Sequence, residues 1–339
     1  MCAMSRLGAS LPFLRPLALP DYIALAREAE ARGYDAIWTG ESAGSDAVTT
    51  MSIAATHTRR VDIASGVIPV QIRTPQTLGM TANTLGHVAP GRICLGLGVS
   101  SRVIVTQWHG VPFEHTLAQL REAVELIRLV LSGEKVNFQG RFYRSSNFRL
   151  TLPPPPAPVR IYLAALGPRM LELAGEIADG VLLNWLPPEA VPPALHRLEA
   201  GARKAGRTLA NFEVAAFIRT CVTAEAEPVR QALARDITSY ATVAAYGRFF
   251  AASGYAPEVE RVNAAWTAGD RAQAVREVSG RFLDGLGVIG PADFCRDRVA
   301  QYAKAGLTQP VVMPFAGGSA DGGSEAVIRT VRAFGTDPR

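Results

Sequence analysis

The chain has 339 residues, of which 48% are hydrophobic and 19% charged, so it can bury a large core and is neither disordered nor fibrous. Its 35 basic and 30 acidic residues give a net charge of +5, but the basic residues form no run of five or more, which disfavours a nucleic-acid partner. No apolar run reaches the roughly 18 residues of a membrane span, and no signal-peptide pattern is present. We therefore expect a cytoplasmic protein without membrane contact.

Short apolar runs alternate along the chain with longer stretches of helical periodicity, which is typical of parallel β-α units. An open nucleotide-binding sheet would need fewer strands and a glycine-rich phosphate fingerprint after the first. The pattern therefore predicts an α/β fold, a closed (β/α)8 TIM barrel that forms one domain over 1–339. The predicted strands are 7–12, 36–39, 61–70, 92–98, 159–164, 180–184, 212–220 and 309–314. The predicted helices include 20–32, 46–58, 75–88, 116–132, 168–178, 188–205 and 291–305.

Two segments interrupt this alternation, one after strand 4 and one after strand 7. Residues 136–156 predict a small hairpin around Gly140, followed by a run of prolines. Residues 225–285 are too long for one helix and predict two or three helices rich in aromatic side chains. These helices could form a lid over a substrate, or they could be an ordinary extra helical layer.

Several common catalytic motifs are missing from the sequence. Its cysteines form no CxxC pair, and its five histidines show no metal-ligand spacing, so we expect no metal site. It contains neither a GxxxxGK[ST] loop nor a GxSxG elbow, which removes the usual support for a kinase or a hydrolase.

The turn after the fifth predicted strand is a candidate anion site. It joins a strand to a helix N-terminus, where free N–H groups and the positive end of the helix dipole can receive a phosphate. Proline suits the first position of such a helix, and an arginine adds positive charge. The alternative is an ordinary turn without a ligand. The candidate residues are Ala165, Leu166, Gly167, Pro168 and Arg169.

A glycine pair ends the fourth predicted strand. Gly96 and Gly98 resemble part of a dinucleotide fingerprint, but Ser101 occupies the place of the third glycine, so a Rossmann interpretation fails. The pair would equally allow a flat cofactor to approach the backbone closely, with Ser100 and Ser101 as hydrogen-bond donors. Taken alone, this signal is weak.

Glu41 and His109 are the candidate acid or base groups, because active sites of barrel enzymes lie at the carboxyl ends of the strands. Glu41 directly follows the second strand, and Trp108 and His109 are predicted in the loop after the fourth. The alternative is that Glu41 caps a helix or pairs with an arginine, and that His109 is merely exposed.

Four segments, in order and spacing, resemble the luciferase-like oxidoreductases, particularly the branch that uses the deazaflavin coenzyme F420 and includes methylenetetrahydromethanopterin reductases. The resemblance covers about 5–220 and 286–315. Several motifs agreeing in order are far more specific than any one of them. The segments are GYDAIWTGESAGSDAVT, ASGVIPVQIRTP, APGRICLGLGVSSRVIVTQWHGVPF and VRIYLAALGPRMLELAGEIADGVLLNW.

The resemblance implies a TIM barrel that binds F420 at the carboxyl ends of its strands, usually as a homodimer packed through the second and third helices. It also implies a bulge with a non-prolyl cis peptide bond at Gly66-Val67, which would support the deazaflavin ring from behind and leave C5 open for hydride transfer. The other residues that it implies at the cofactor are Thr39, Gly40, Gly98, Ser100, Ser101, Ala165, Leu166, Gly167, Pro168, Arg169 and Asn184.

One departure from the family narrows the chemistry. Relatives that oxidise alcohols or sugar phosphates generally carry an Asp-His pair after the second strand, where this chain has Gly40-Glu41-Ser42. We therefore expect hydride transfer between F420 and a small organic molecule with an activated C=C, C=N or C=O bond. The alternatives are an FMN-dependent monooxygenase, which cofactor preference would distinguish, and a non-catalytic flavin- or F420-binding protein, which turnover would exclude.

Overall fold

The computed structural model of the chain describes residues 6–14, 17–317 and 323–335. Its twelve strands comprise a parallel sheet and a separate antiparallel hairpin. The strands are β1 (Gly8–Ser10), β2 (Ala36–Thr39), β3 (Asp62–Ser65), β4 (Ile68–Pro69), β5 (Ile93–Gly98), β6 (Val136–Gln139), β7 (Arg144–Phe148), β8 (Arg160–Ala164), β9 (Gly180–Asn184), β10 (Glu213–Val222), β11 (Gly287–Gly290) and β12 (Gln309–Pro314).

The parallel strands close into an eight-stranded barrel in the order β1, β2, β3, β5, β8, β9, β10, β12, after which β12 pairs with β1. Their residues are buried almost throughout, because helices cover the outside and side chains fill the inside. The predicted α/β fold, a (β/α)8 TIM barrel, is confirmed.

Helices lie outside the barrel and over its carboxyl end, and several begin at side-chain caps. Asp46 accepts a hydrogen bond from the Thr49 N–H and so caps α2, while Thr74 caps α3 in front of Pro75. The helices are α1 (Leu19–Ala31), α2 (Ala47–His57), α3 (Pro75–Val88), α4 (Thr116–Leu131), α5 (Pro168–Ile177), α6 (Val191–Lys204), α7 (Ala226–Ala241), α8 (Ala244–Phe250), α9 (Ala256–Thr267), α10 (Arg271–Arg276), α11 (Gly280–Leu286), α12 (Ala292–Lys304) and α13 (Ser324–Phe334).

Three apolar clusters organise the packing of the barrel. The largest lies between the strands and the surrounding helices. A second fills the barrel interior, where Trp38, Tyr162 and Phe217 are the largest side chains. A third joins the helices that follow β10 to the barrel through Trp185 and Phe282. This last cluster holds the α7–α11 helices over the carboxyl end of the strands.

The structure corrects three expectations. The segment 225–285 forms five helices instead of two or three. Gly254 and Gly269, both with positive φ, interrupt it at two points, and Ser279 caps the start of its last helix. The strand β11, which pairs with the end of β10, was not predicted. The third predicted strand, 61–70, is divided into β3 and β4 at Gly66 and Val67. The hairpin after the fourth barrel strand is present as β6 and β7.

Candidate active site

The peptide segment that divides β3 from β4 lies at the carboxyl ends of the barrel strands. The peptide bond between Gly66 and Val67 is cis, as expected from the resemblance. The Gly66 N–H donates to the Thr39 carbonyl oxygen at 2.5 Å, which joins the bulge to β2. On the other side, the Ser65 hydroxyl donates to the carbonyl oxygen of Gly96 and accepts from its N–H. The bulge is thus hydrogen-bonded to both neighbouring strands.

Glycines allow the bulge to lie against the barrel interior. A Cβ on Gly66 would lie 2.5 Å from Cζ of Phe217, and a Cβ on Gly98 would lie 2.5 Å from Cγ2 of Val67. Both distances are too short for carbon atoms, so these positions require glycine as the structure stands. Gly98 also lies next to Ala164, at the end of β8. Val67, Gly98 and Ala164 therefore form one continuous wall at the mouth of the barrel.

The turn after β8 presents free backbone donors. Gly167 precedes the first turn of α5 without a side-chain cap, and a Cβ placed on it would contact nothing within 4 Å. No described residue accepts a hydrogen bond from the backbone N–H groups of Leu166, Gly167 or Arg169, and Arg169 is exposed. Pro168 occupies the first helical position, as the sequence predicted. The arrangement provides donors, open space and a positive helix end for an anion.

Glu41 and His109 line the same cavity, which has a volume of about 310 Å³ and is completed by Asp46, Ile72 and Arg73 among others. Glu41 accepts hydrogen bonds from Arg73 Nη2 at 2.9 Å and from the Ala47 N–H at 3.1 Å. Its carboxylate therefore both pairs with an arginine and caps α2. The hydrogen bond that Arg73 donates to Glu41 is the largest influence on the pKa of Arg73, and it raises that pKa.

His109 is exposed at the end of a short π-helical segment, Val103–Trp108. The prediction that Trp108 lies in a loop was wrong, because the Ser101 hydroxyl accepts the Ile104 N–H and starts a helical turn there. Ser101 is thus already engaged with the protein, whereas the adjacent Ser100 has a left-handed backbone conformation with φ of 55°.

Two further predicted residues border the mouth. Thr39 is buried, and its hydroxyl lies 3.4 Å from the Ala47 carbonyl oxygen. Gly40 lies so close to the ring of Phe13 that a Cβ would be 2.5 Å from Cγ. Phe13 is therefore a mouth residue that the sequence pattern did not reveal.

Asn184 ends β9 and receives a hydrogen bond from Arg219 Nη1 at 2.9 Å. Arg219 was not predicted as a site residue, although it is a charged residue inside the otherwise apolar run that follows Glu213 in β10. Its guanidinium carbon lies 3.2 Å from the centre of the Trp185 ring. Asn184 is therefore part of a buried polar and aromatic contact between the barrel and the helices above it.

No group of three or more His, Cys, Asp or Glu side chains in the described ranges is arranged to hold a metal ion. Among the helices of those ranges, none combines the length and the apolar character needed to cross a membrane.

The closed barrel, with its polar and glycine-lined carboxyl end, defines a (β/α)8-barrel protein with a candidate site at the conventional face. Residues 5–309 match the sequence profile of the luciferase-like monooxygenases, and the chain belongs to this family. The resemblance seen in the sequence is thereby confirmed.

Curated relatives include a 5,10-methylenetetrahydromethanopterin reductase of Archaeoglobus fulgidus, 28% identical over 89% of this chain and 90% of that protein. A putative coenzyme F420-dependent oxidoreductase of Mycobacterium tuberculosis is 29% identical over 92% of this chain and 96% of that protein. Among solved structures, the coenzyme F420 dependent tetrahydromethanopterin reductase from Methanopyrus kandleri superposes with a TM-score of 0.82 over 99% of both chains, at 22% identity. At that identity, the superposition shows a shared fold.

Proposed function

We propose that this chain is a single-domain F420-dependent oxidoreductase that transfers hydride between deazaflavin C5 and a small organic substrate with an activated C=C, C=N or C=O bond. The observation that carries the proposal is the bulge at Gly66 and Val67, which forms one wall with Gly98 at the mouth of the barrel. Two curated relatives whose names specify F420 or a methanopterin substrate support it.

The residues at the mouth fit such a cofactor. The free N–H groups before α5 suit its phosphate, and the wall formed by Val67 and Gly98 offers a flat, apolar backing for its ring. Thr39 and Gly40 would border the ring, while Ser100, Ser101 and Asn184 would lie along its chain. When bound, F420 supplies hydride chemistry at C5, and the protein supplies position and exclusion of water.

Within the cavity shared by Glu41 and His109, we propose that His109 moves the proton that accompanies hydride transfer. Glu41 is committed to Arg73 and to the Ala47 N–H, so it shapes the cavity by holding the arginine and the start of α2. His109 is exposed and free to turn toward a substrate. General acid catalysis by such a group contributes typically about 10²–10⁴-fold to a rate.

The experiment that tests this function is a fluorescence titration of the protein with F420 and, separately, with FMN. Micromolar binding of F420 alone, followed by oxidation of reduced F420 in the presence of enones, imines or ketones, would support the proposal. Preference for FMN would move the chain to the monooxygenases and make oxygen consumption the next assay. Binding of neither cofactor would overturn the redox function.

We further propose that the protein works in the cytoplasm as a homodimer packed through α2 and α3. In support, Met80 and Val88 on α3 are exposed apolar side chains, at 49% and 46% of their maximum. Light scattering coupled to gel filtration tests this: a monomer mass at micromolar concentration would contradict it.

A further inference from the structure

Asn184 lies on the interior face of the barrel, one layer closer to the mouth than the contacts of the bulge. Leu182 faces the bulge, because its Cδ2 lies 2.8 Å from the place that a Cβ of Gly66 would take. Asn184 follows Leu182 by two positions on β9, and alternate residues of a strand share a face. The register partner of Asn184 on β10 is Phe217, which also faces Gly66. The partly exposed Asn184 side chain therefore lies beside the site proposed for the cofactor.

Arg219 fixes which end of the Asn184 amide faces β10. Its Nη1 donates to Asn184 Oδ1 at 2.9 Å. A guanidinium carries donors only, so the amide oxygen must face Arg219, and Nδ2 must face away from it. An amide nitrogen donates and does not accept. Asn184 therefore presents N–H groups on its remaining side.

The other polar neighbour of the amide cannot impose this orientation. Burial raises the pKa of Tyr246, on α8, and a hydrogen bond with Asn184 acts in the opposite direction. A hydroxyl both donates and accepts, so Tyr246 would tolerate either orientation of the amide. Nδ2 carries two N–H groups, and one bond to Tyr246 leaves the other for a ligand. The orientation of Asn184 thus depends on Arg219.

The guanidinium is itself held by the residues around it. Its carbon lies 3.2 Å from the centre of the Trp185 ring, and Tyr240 accepts a hydrogen bond from it. Burial lowers the pKa of Arg219 to about 10, while Tyr240 and the charge of Asp236 act in the opposite direction, so the group is charged at neutral pH. Asp236 and Tyr240 both belong to α7. A helix over the carboxyl end of the strands therefore sets the position of the arginine.

We propose that Arg219 is a positioning residue, which holds the Asn184 amide so that an Nδ2 N–H donates to an oxygen on the chain of the cofactor. The inference rests on the proposed function, which places F420 at this edge of the barrel. Packing in the cluster around Trp185 would be served by an apolar side chain of similar length. Selection of one amide orientation requires a donor-only group, which explains an arginine at this position.

Titration of the protein and its variants with F420, followed by deazaflavin fluorescence, tests the proposal. Asn184→Ala removes the donor and should weaken F420 binding by about three- to tenfold, the range of one hydrogen bond. Asn184→Asp should weaken binding at least as much, because an acceptor-only carboxylate then replaces the amide donor. Wild-type affinity in Asn184→Asp would overturn the proposal.

A double-mutant cycle separates positioning from packing. Arg219→Met should weaken F420 binding about threefold or more in the wild-type background, and by less than about twofold where Asn184 is already alanine. An arginine that acts only on packing would lower the affinity by the same factor in both backgrounds, and that result would refute the assignment. Arg219→Lys returns a donor that can face Asn184 Oδ1, so it should recover part of the lost affinity.

Arg271→Met is the matched control. Arg271 also stacks on a tryptophan, at 3.5 Å from the centre of the Trp266 ring, and donates to the Trp266 carbonyl oxygen, but it lies on the exposed surface. This control should keep the wild-type affinity for F420. Thermal unfolding checks the fold of each variant. If Arg219→Met does not fold, Asn184→Asp decides the question, because it retains the arginine.

The same titrations separate this inference from the proposed function. If the wild-type protein binds F420 and the effect of Arg219→Met does not depend on Asn184, the positioning role fails while the redox function stands. If the wild-type protein does not bind F420, the proposed function fails, and the positioning role fails with it.

Discussion

Gly98 and Val67 lie so close together at the mouth of the barrel that a methyl group on Gly98 would be 2.5 Å from Cγ2 of Val67. Val67 belongs to the bulge that divides β3 from β4, and Gly98 ends β5. The valine side chain has little freedom to turn away, because it branches at Cβ. The position of the bulge therefore depends on the absence of a side chain on the neighbouring strand.

Gly98→Ala should weaken F420 binding by about tenfold or more, since the new methyl group displaces Val67 from the wall that backs the ring. The fold should persist, because the contact lies at the open end of the barrel. Fluorescence titration gives the affinity and circular dichroism checks the fold. Gly280→Ala is the matched control, because Gly280 is exposed and a Cβ there meets nothing within 4 Å. Unchanged F420 affinity in Gly98→Ala would contradict the role of the wall.

Gly167→Asp should raise stability and lower cofactor affinity at once. An aspartate at this position caps the free N–H groups of α5, which adds a few tenths of a kcal/mol relative to glycine. The same carboxylate then repels and replaces the phosphate of F420. Thermal unfolding and F420 titration measure the two effects. Gly167→Asn caps without a charge, so it should lower affinity less; equal affinity of both variants and wild type would show that the phosphate binds elsewhere.

His109→Gln should lower kcat of F420-dependent turnover by about 10²-fold with little change in KM, if the imidazole moves the proton. His196→Gln, on the outer helix α6, should leave both constants unchanged. A His109→Gln enzyme with normal kcat would show that water or another group supplies the proton.

Glu41→Gln should lower the free energy of unfolding and leave kcat largely unchanged. The substitution removes the charge that holds Arg73 and weakens the cap on α2, so the free energy of unfolding should fall by about 1 kcal/mol, a value reduced for the partial exposure of the arginine. Denaturant titration measures it. A large fall in kcat with unchanged stability would instead make Glu41 the proton-transfer group.

The sequence predicted the barrel because parallel strands buried on both faces produce short apolar runs that are plain in the chain. It did not predict the five helices after β10, since helices as short as Arg271–Arg276 show little periodicity. The contact of Arg219 with Trp185 joins residues 34 positions apart, and no local pattern encodes it. For Glu41, the sequence left pairing with an arginine open, and only the structure identified Arg73.

Glu30 provides a test of stability against pH that is independent of the site. Burial raises the pKa of its carboxyl, but hydrogen bonds from the backbone N–H groups of Arg60, Arg59 and Val61 outweigh this and leave the pKa below its ordinary value. A lowered pKa in the folded state means that the ionised carboxylate stabilises the fold above the pKa of the unfolded chain. That contribution is lost as pH falls through the folded value.

Glu30→Gln should therefore lower the free energy of unfolding by about 1 kcal/mol at pH 7, with the difference from wild type shrinking as the pH is lowered below about 4. Urea titrations of both proteins across this range measure the difference, and other carboxylates cancel because they titrate alike in each. Glu199→Gln is the control, since Glu199 is exposed on α6 and forms no ion pair with a described residue. A difference that stays constant from pH 7 to pH 3 would contradict this expectation. It would mean that Glu30 anchors the loop before β3 without a contribution from its ionised carboxylate.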